Sequence, residues 1–155
     1  MDNKIVQRSL AFIETCDDPV KLRQMAVNAA SKGVREVERA ARLRLYAVLP
    51  SEQPGTLEYD VWQSIHCLED TLSLERGKTI RLSRTRQKIG RDGEHKTVAD
   101  LILGAQSEGF VRLVERNMPE LTFEAVALKH TNRFEEPVIA AAKERLKRAG
   151  VTSPL

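Results

Sequence analysis

The chain has 155 residues, 41% of them hydrophobic, 30% charged and 5% aromatic, with a formal net charge of +3. That is apolar material for one hydrophobic core or two small ones, and the charge is too balanced for wholesale disorder. No apolar run approaches the ~20 residues that cross a bilayer, and Met1-Asp2-Asn3-Lys4 opens no secretory leader. Two cysteines, Cys16 and Cys67, make neither a disulfide framework nor a zinc site by themselves.

Gly (8) and Pro (6) are few, and Ala, Leu, Val, Glu, Arg and Lys predominate, which favours helices over a sandwich or barrel. The expectation is an all-α fold, a compact domain of seven to nine helices over 1–150, soluble and cytoplasmic. Its core is expected from Leu, Val, Ile, Ala and Trp62.

In chain order, Val6, Leu10 and Ile13 fall at helical spacing behind Asp2, a candidate cap. Asp18-Pro19 reads as an N-cap followed by proline at the first helical position. The helix it opens buries Leu22, Met25, Ala26 and Ala29, and Gly33 ends it. Val34, Val37, Ala41, Leu45 and Val48 predict a third helix, closed by Pro50. After a loop with a turn at Pro54-Gly55, the stripe Leu57, Val61, Ile65, Leu68 and Leu72 predicts a long fourth helix with Trp62 beside it, stopped by Gly77.

Ile80 and Leu82 alternate with charges, so the chain continues extended or as a loop. Ser83 is placed to cap a short helix over Arg84–Arg91 with only Ile89 to bury, followed by a turn at Gly90-Arg91-Asp92-Gly93. Thr97 and Asp100 fit a capping box opening Val98–Leu103, with Gly104 as its stop. Ser107 opens a helix with Phe110, Val111, Leu113 and Val114. Two further helices run over about Glu120–Lys129 and Pro137–Ala149, Gly150 ends the last, and Val151–Leu155 is expected as a frayed tail.

Ala26, Val37, Ala40, Ala41, Arg44 and Leu45 recur as Ala127, Val138, Ala141, Ala142, Arg145 and Leu146, at an ungapped offset of 101. Apolar character also persists at Leu22/Phe123, Met25/Val126 and Val27/Leu128. Either two related helical hairpins bracket the centre of the chain, or two amphipathic hairpins align through shared periodicity.

That centre is charged in blocks. From Ser51 to Glu75 there are six acidic residues (Glu52, Glu58, Asp60, Glu69, Asp70, Glu75) and no Lys or Arg. From Arg76 to Arg91 there are seven bases (Arg76, Lys78, Arg81, Arg84, Arg86, Lys88, Arg91) and no acid. One basic segment in a nearly neutral chain is a local footprint.

Catalytic patterns are missing. Gly90 and Gly93 do not form a phosphate loop with Lys88 and Lys96, and the histidines His66, His95 and His130 lie far apart. Cys67 beside His66 on a helix points away from it and reads as core. Asp92, Glu94 and His95 sit in an expected polar turn, and Glu69-Asp70 on a helix surface suit solvent or an arginine. No catalytic residue, cofactor or metal ligand emerges, and nothing commits to an enzyme.

The basic segment therefore carries the functional reading. Arginine's planar fork suits phosphate and the guanine edge, and Thr79, Ser83, Thr85 and Gln87 add neutral donors. On a helix Arg84, Lys88 and Arg91 share a face, with Arg86 flanking it. The segment holds no aromatic residue for stacking single-stranded bases, so double-stranded DNA is favoured. A helix-turn-helix over Arg84–Leu103 fits poorly: a turn at Gly90 puts Thr85 and Lys96 at core positions, and one at Gly93 puts Lys88 there.

The first expectation is thus a non-enzymatic DNA-binding or nucleoprotein accessory protein, with Arg76, Lys78, Arg81, Arg84, Arg86, Lys88 and Arg91 as its contacts. The alternative is a helical adaptor or small subunit of a larger complex. It would meet a protein partner through the acidic helix 57–75, with the basic segment paired internally. A membrane partner is not expected, since the segment lacks a bulky apolar face. A homodimer suits a DNA binder, though no heptad seam demands one.

Overall fold

The computed structural model describes residues 2–152; the tail expected to fray extends beyond them at 153–155. Among the described residues there are nine α-helices and no strand, and the chain divides into two compact units, 1–51 and 52–155.

The first unit is three helices, each started by local chemistry. Helix α1 (Asn3–Thr15) is capped by Asp2, whose carboxylate accepts the Lys4 N–H at 2.9 Å. Helix α2 (Pro19–Ser31) is capped by Asp18, which accepts from Val20 and Lys21 N–H, and Pro19 occupies the first position, where a missing N–H costs nothing. Gly33, at φ +71°, turns the chain into α3 (Arg35–Val48). Ala26 and Ala41 are both fully buried, and such small residues let α2 and α3 pack closely.

The second unit is organised on α4 (Leu57–Arg76), capped by Thr56 on the Tyr59 N–H. Its Leu57–Leu72 stripe and Cys67 are buried as expected, but so are Asp60, Ser64, Glu69 and Thr71. The helix is covered on more than one side because α6, α7 and α8 all pack against it. After it come α5 (Ser83–Asp92), α6 (Glu94–Leu103), α7 (Glu108–Glu115), a 3-10 turn at Pro119–Leu121, α8 (Phe123–Lys129), a second 3-10 turn at Thr131–Arg133, and α9 (Glu136–Arg148). The core includes Val61, Ile65, Val98, Ile102, Ala127 and Ala142, each at most 1% exposed.

Three local expectations around α5 and α6 need correction. Ser83 is the first helical residue and not the cap; Leu82 holds the cap position and supplies no side-chain bond. The turn expected at 90–93 is helix as far as Asp92, and the whole reversal is made by Gly93 at φ +86°, ψ +165°. Thr97 is not a cap, because Gly93 has already opened α6 and accepts the Thr97 N–H at 3.2 Å. The Thr97 side chain is instead buried, with its hydroxyl unbonded among the described residues.

The internal resemblance has a structural counterpart. Helices α3 and α9 begin at 35 and 136, the offset seen in the sequence. Ala26, Val37, Ala41 and Leu45 are buried, as are Ala127, Val138, Ala142 and Leu146. In the second hairpin the residues matching the end of α2 are drawn into the 3-10 turn at Thr131–Arg133, which shortens α8.

The matched arginines also play one role. Arg44 donates to the carbonyl of Cys16, the C-cap of α1, and pairs with Asp17. Arg145 donates to the carbonyl of Gly104, the C-cap of α6, and pairs with Glu124. Each satisfies an orphan carbonyl at the negative end of a helix. Arg44→Ala should cost about 1 kcal/mol, because Asp17 is exposed. Arg145→Ala should cost about 3 kcal/mol, because it strands a buried Glu124. Urea denaturation of the two variants measures the order.

Candidate nucleic-acid interface

Helix α4 ends at Gly77, whose left-handed conformation (φ +66°) releases the chain into 77–82. Polar side chains of α4 hold that connector. Ser73 Oγ accepts the Ile80 N–H at 2.8 Å and donates to the Glu69 carbonyl, while the Glu69 carboxylate accepts the Leu82 N–H at 2.9 Å. Helix α5 follows with one buried residue, Ile89.

Two of the seven expected contact residues are committed within the unit. Arg86 Nε and Nη2 each reach a Glu69 carboxylate oxygen at 2.7 Å, and its guanidinium lies 5.1 Å from the Trp62 ring centroid. Burial alone would raise the Glu69 carboxyl, but bonds from Arg86 and Leu82, with the Arg86 and Arg81 charges, hold it below its ordinary range. Lys88 Nζ bonds Asp100 at 2.8 Å and Asp92 at 2.9 Å, and these bonds raise its pKa. The Arg84–Lys88–Arg91 face therefore has its middle member tied to α6.

The other five are exposed. Arg76 pairs with Glu108 at 2.6 Å, and Arg91 lies 3.5 Å from the Asp92 carboxylate. Lys78, Arg81 and Arg84 form no side-chain hydrogen bond or ion pair among the described residues. Arg76, Arg81 and Arg84 converge on one cleft of about 630 Å³, whose walls include Leu68, Leu72, Leu82 and Phe110. Little in the sequence announces this cleft, whose lining comes from widely separated parts of the chain. Its one local trace is the alternation of Ile80 and Leu82 with Lys78 and Arg81.

The acidic helix, read as a surface for a partner, spends much of its charge internally. Asp60 is buried and bonded to His130 at 2.7 Å, with Lys129 at 3.4 Å. Glu58 meets Arg133 at 3.4 Å, and Glu75 is held by Arg112 and Arg116. Glu69, read as a surface residue, is buried on Arg86.

The residues weighed for chemistry are occupied separately. Asp92 bonds Lys88, Glu94 accepts the Trp62 indole N–H at 3.0 Å, and His95 stacks on Phe134 and contacts the Arg133 carbonyl. Cys67 is fully buried near Met118 and Thr71. No cluster of three His, Cys, Asp or Glu positioned to hold a metal ion occurs among the described residues, and none of their helices is long and apolar enough to cross a membrane. Comparison with family models, curated proteins and solved structures found no match to this chain.

Proposed function

We propose that the protein is a non-enzymatic DNA-binding or nucleoprotein accessory factor that contacts the duplex backbone through Lys78, Arg81, Arg84 and Arg91. The observation that carries this reading is the division of labour in the basic segment. Arg86 and Lys88 are bonded inward and fix α5, while Lys78, Arg81 and Arg84 stand exposed and form no side-chain hydrogen bond or ion pair among the described residues. Cations held on a helix (Arg84, Arg91) or on a connector bonded to one (Lys78, Arg81) spend less ordering entropy on binding than cations on a loose chain.

Duplex is favoured over single strands because residues 76–91 contain no aromatic platform. Titration of labelled duplex at ~50 mM salt, beside single-stranded DNA and RNA, tests the reading, since backbone contacts are strongest at low salt. The expected result is micromolar or tighter binding with duplex preferred. No binding at that salt overturns it.

The adaptor reading draws support from the Glu69–Arg86 pair, an internal neutralisation of the kind it requires. It is weakened by the same pair, since the acidic helix then offers fewer carboxylates to a partner.

A further inference from the structure

The cleft of about 630 Å³ lies within the range of small-molecule sites, roughly 300–1,000 Å³. Its walls are aliphatic and aromatic: Leu68, Leu72, Phe110 and Leu113 are buried core residues, joined by the half-buried Ile80 and Leu82. Four arginines and two glutamates also line it, and they are unevenly paired. Arg76 is matched by Glu108 and Arg145 by Glu124, while Arg81 and Arg84 form no side-chain hydrogen bond or ion pair among the described residues. Both are exposed, so they sit on the solvent side of the apolar wall. Between them, Ser83 also lines the cleft at the first turn of α5, a helix start without a side-chain cap.

We propose that this cleft binds a monomeric fatty carboxylate, its aliphatic chain against the half-buried Ile80, Leu82, Leu101 and Phe123 and its carboxylate on Arg81 and Arg84. The apolar wall favours an aliphatic body by area removed from water. The Arg81 and Arg84 guanidiniums favour an anionic end, since Arg forks bind carboxylates bidentately. A polyanion without a chain would use the arginines and leave the wall wet. A neutral chain would use the wall and leave the arginines unsatisfied. The inference draws on two of the arginines of the duplex reading, Arg81 and Arg84, but needs no nucleic acid, so either can fail without the other.

The test is a methyl-resolved NMR titration of the full chain with decanoate below its aggregation concentration, repeated with decanol and with decyltrimethylammonium. Decanoate should bind saturably and shift the methyl resonances of Ile80, Leu82 and Leu101. Decanol and the cationic amphiphile should each bind at least about tenfold more weakly, the scale of one charge-assisted hydrogen bond. Arg81→Gln/Arg84→Gln changes two exposed residues and should reduce decanoate to the level of the alcohol while the spectrum stays folded. The proposal is overturned by shifts that spare those methyls or fail to saturate, by equal binding of the three amphiphiles, or by undiminished decanoate binding in the arginine variant.

Discussion

Glu69→Ala is expected to lower the free energy of unfolding by about 3 kcal/mol, the scale of removing one partner from a buried ion pair. Glu69 is 8% exposed and accepts three hydrogen bonds, two from Arg86 and one from the Leu82 backbone. Its loss strands a half-buried guanidinium and a backbone donor, and it frees both the 77–82 connector and α5 from α4. The pair's contribution also depends on pH with a definite sign. The Glu69 carboxyl is held below its ordinary value of 4.5, so the stabilisation is complete above that pH. It is lost as pH falls through the depressed folded value. The stability gap between wild type and Glu69→Gln should therefore narrow below about pH 4.5. Urea denaturation at pH 7 and pH 3 measures both effects, and a gap that widens on acidification would contradict the assignment.

Gly93→Ala is the second large effect, at about 2 kcal/mol of lost stability, from the cost of holding a side chain in a glycine-only region. Gly93 lies at φ +86°, ψ +165° and forms the whole junction between α5 and α6. A Cβ there would meet no atom within 4 Å, so the penalty is conformational and not steric. Asparagine should not rescue it, because asparagine's tolerance of positive φ is confined to the left-handed helical region. Gly77, at φ +66°, ψ +23°, does lie in that region, and Gly77→Asn should be much milder. Thermal unfolding of the three variants checks the ranking, and equal losses at both sites would contradict it.

Features made by neighbouring residues were legible in the sequence. Asp2, Asp18 and Ser107 cap where their spacing puts them, and Gly33, Gly77, Gly104 and Gly150 lie at helix ends. The Leu57–Leu72 stripe is buried because helical period alone places it on one face. Features made by distant residues were not legible. Glu69 lies off that stripe, and it is held by the Leu82 N–H and the Arg86 side chain from beyond the end of α4, which no local pattern encodes. The 90–93 segment, with two glycines around Arg and Asp, has turn composition. Yet Lys88–Asp92 pairing and Ile89 burial carry the helix through Gly90 to its end at Asp92.

The candidate site divides along the same line. The run of seven bases and the lack of aromatics could be read directly. Which bases are spent internally depended on Glu69, Asp92 and Asp100, and only Asp92 adjoins the segment in sequence. Arg86 and Lys88 consequently pass from expected phosphate contacts to side chains that hold α5 in place. A variant that removes Arg86 would lose stability before it reported on binding, so Arg81 and Arg84 are the positions that test the interface.

The most direct test of that division is the salt dependence of duplex binding, followed across several concentrations from ~50 to ~200 mM. With Arg76 held by Glu108, the other four exposed bases, Lys78, Arg81, Arg84 and Arg91, predict a log–log slope of about −3.6, at ~0.9 per phosphate neutralised. Arg81→Ala/Arg84→Ala should roughly halve it. A slope of about −6, as all seven bases would give, would mean that Arg76, Arg86 and Lys88 leave their carboxylates to join the contact. A binding constant indifferent to salt would contradict the backbone contact altogether.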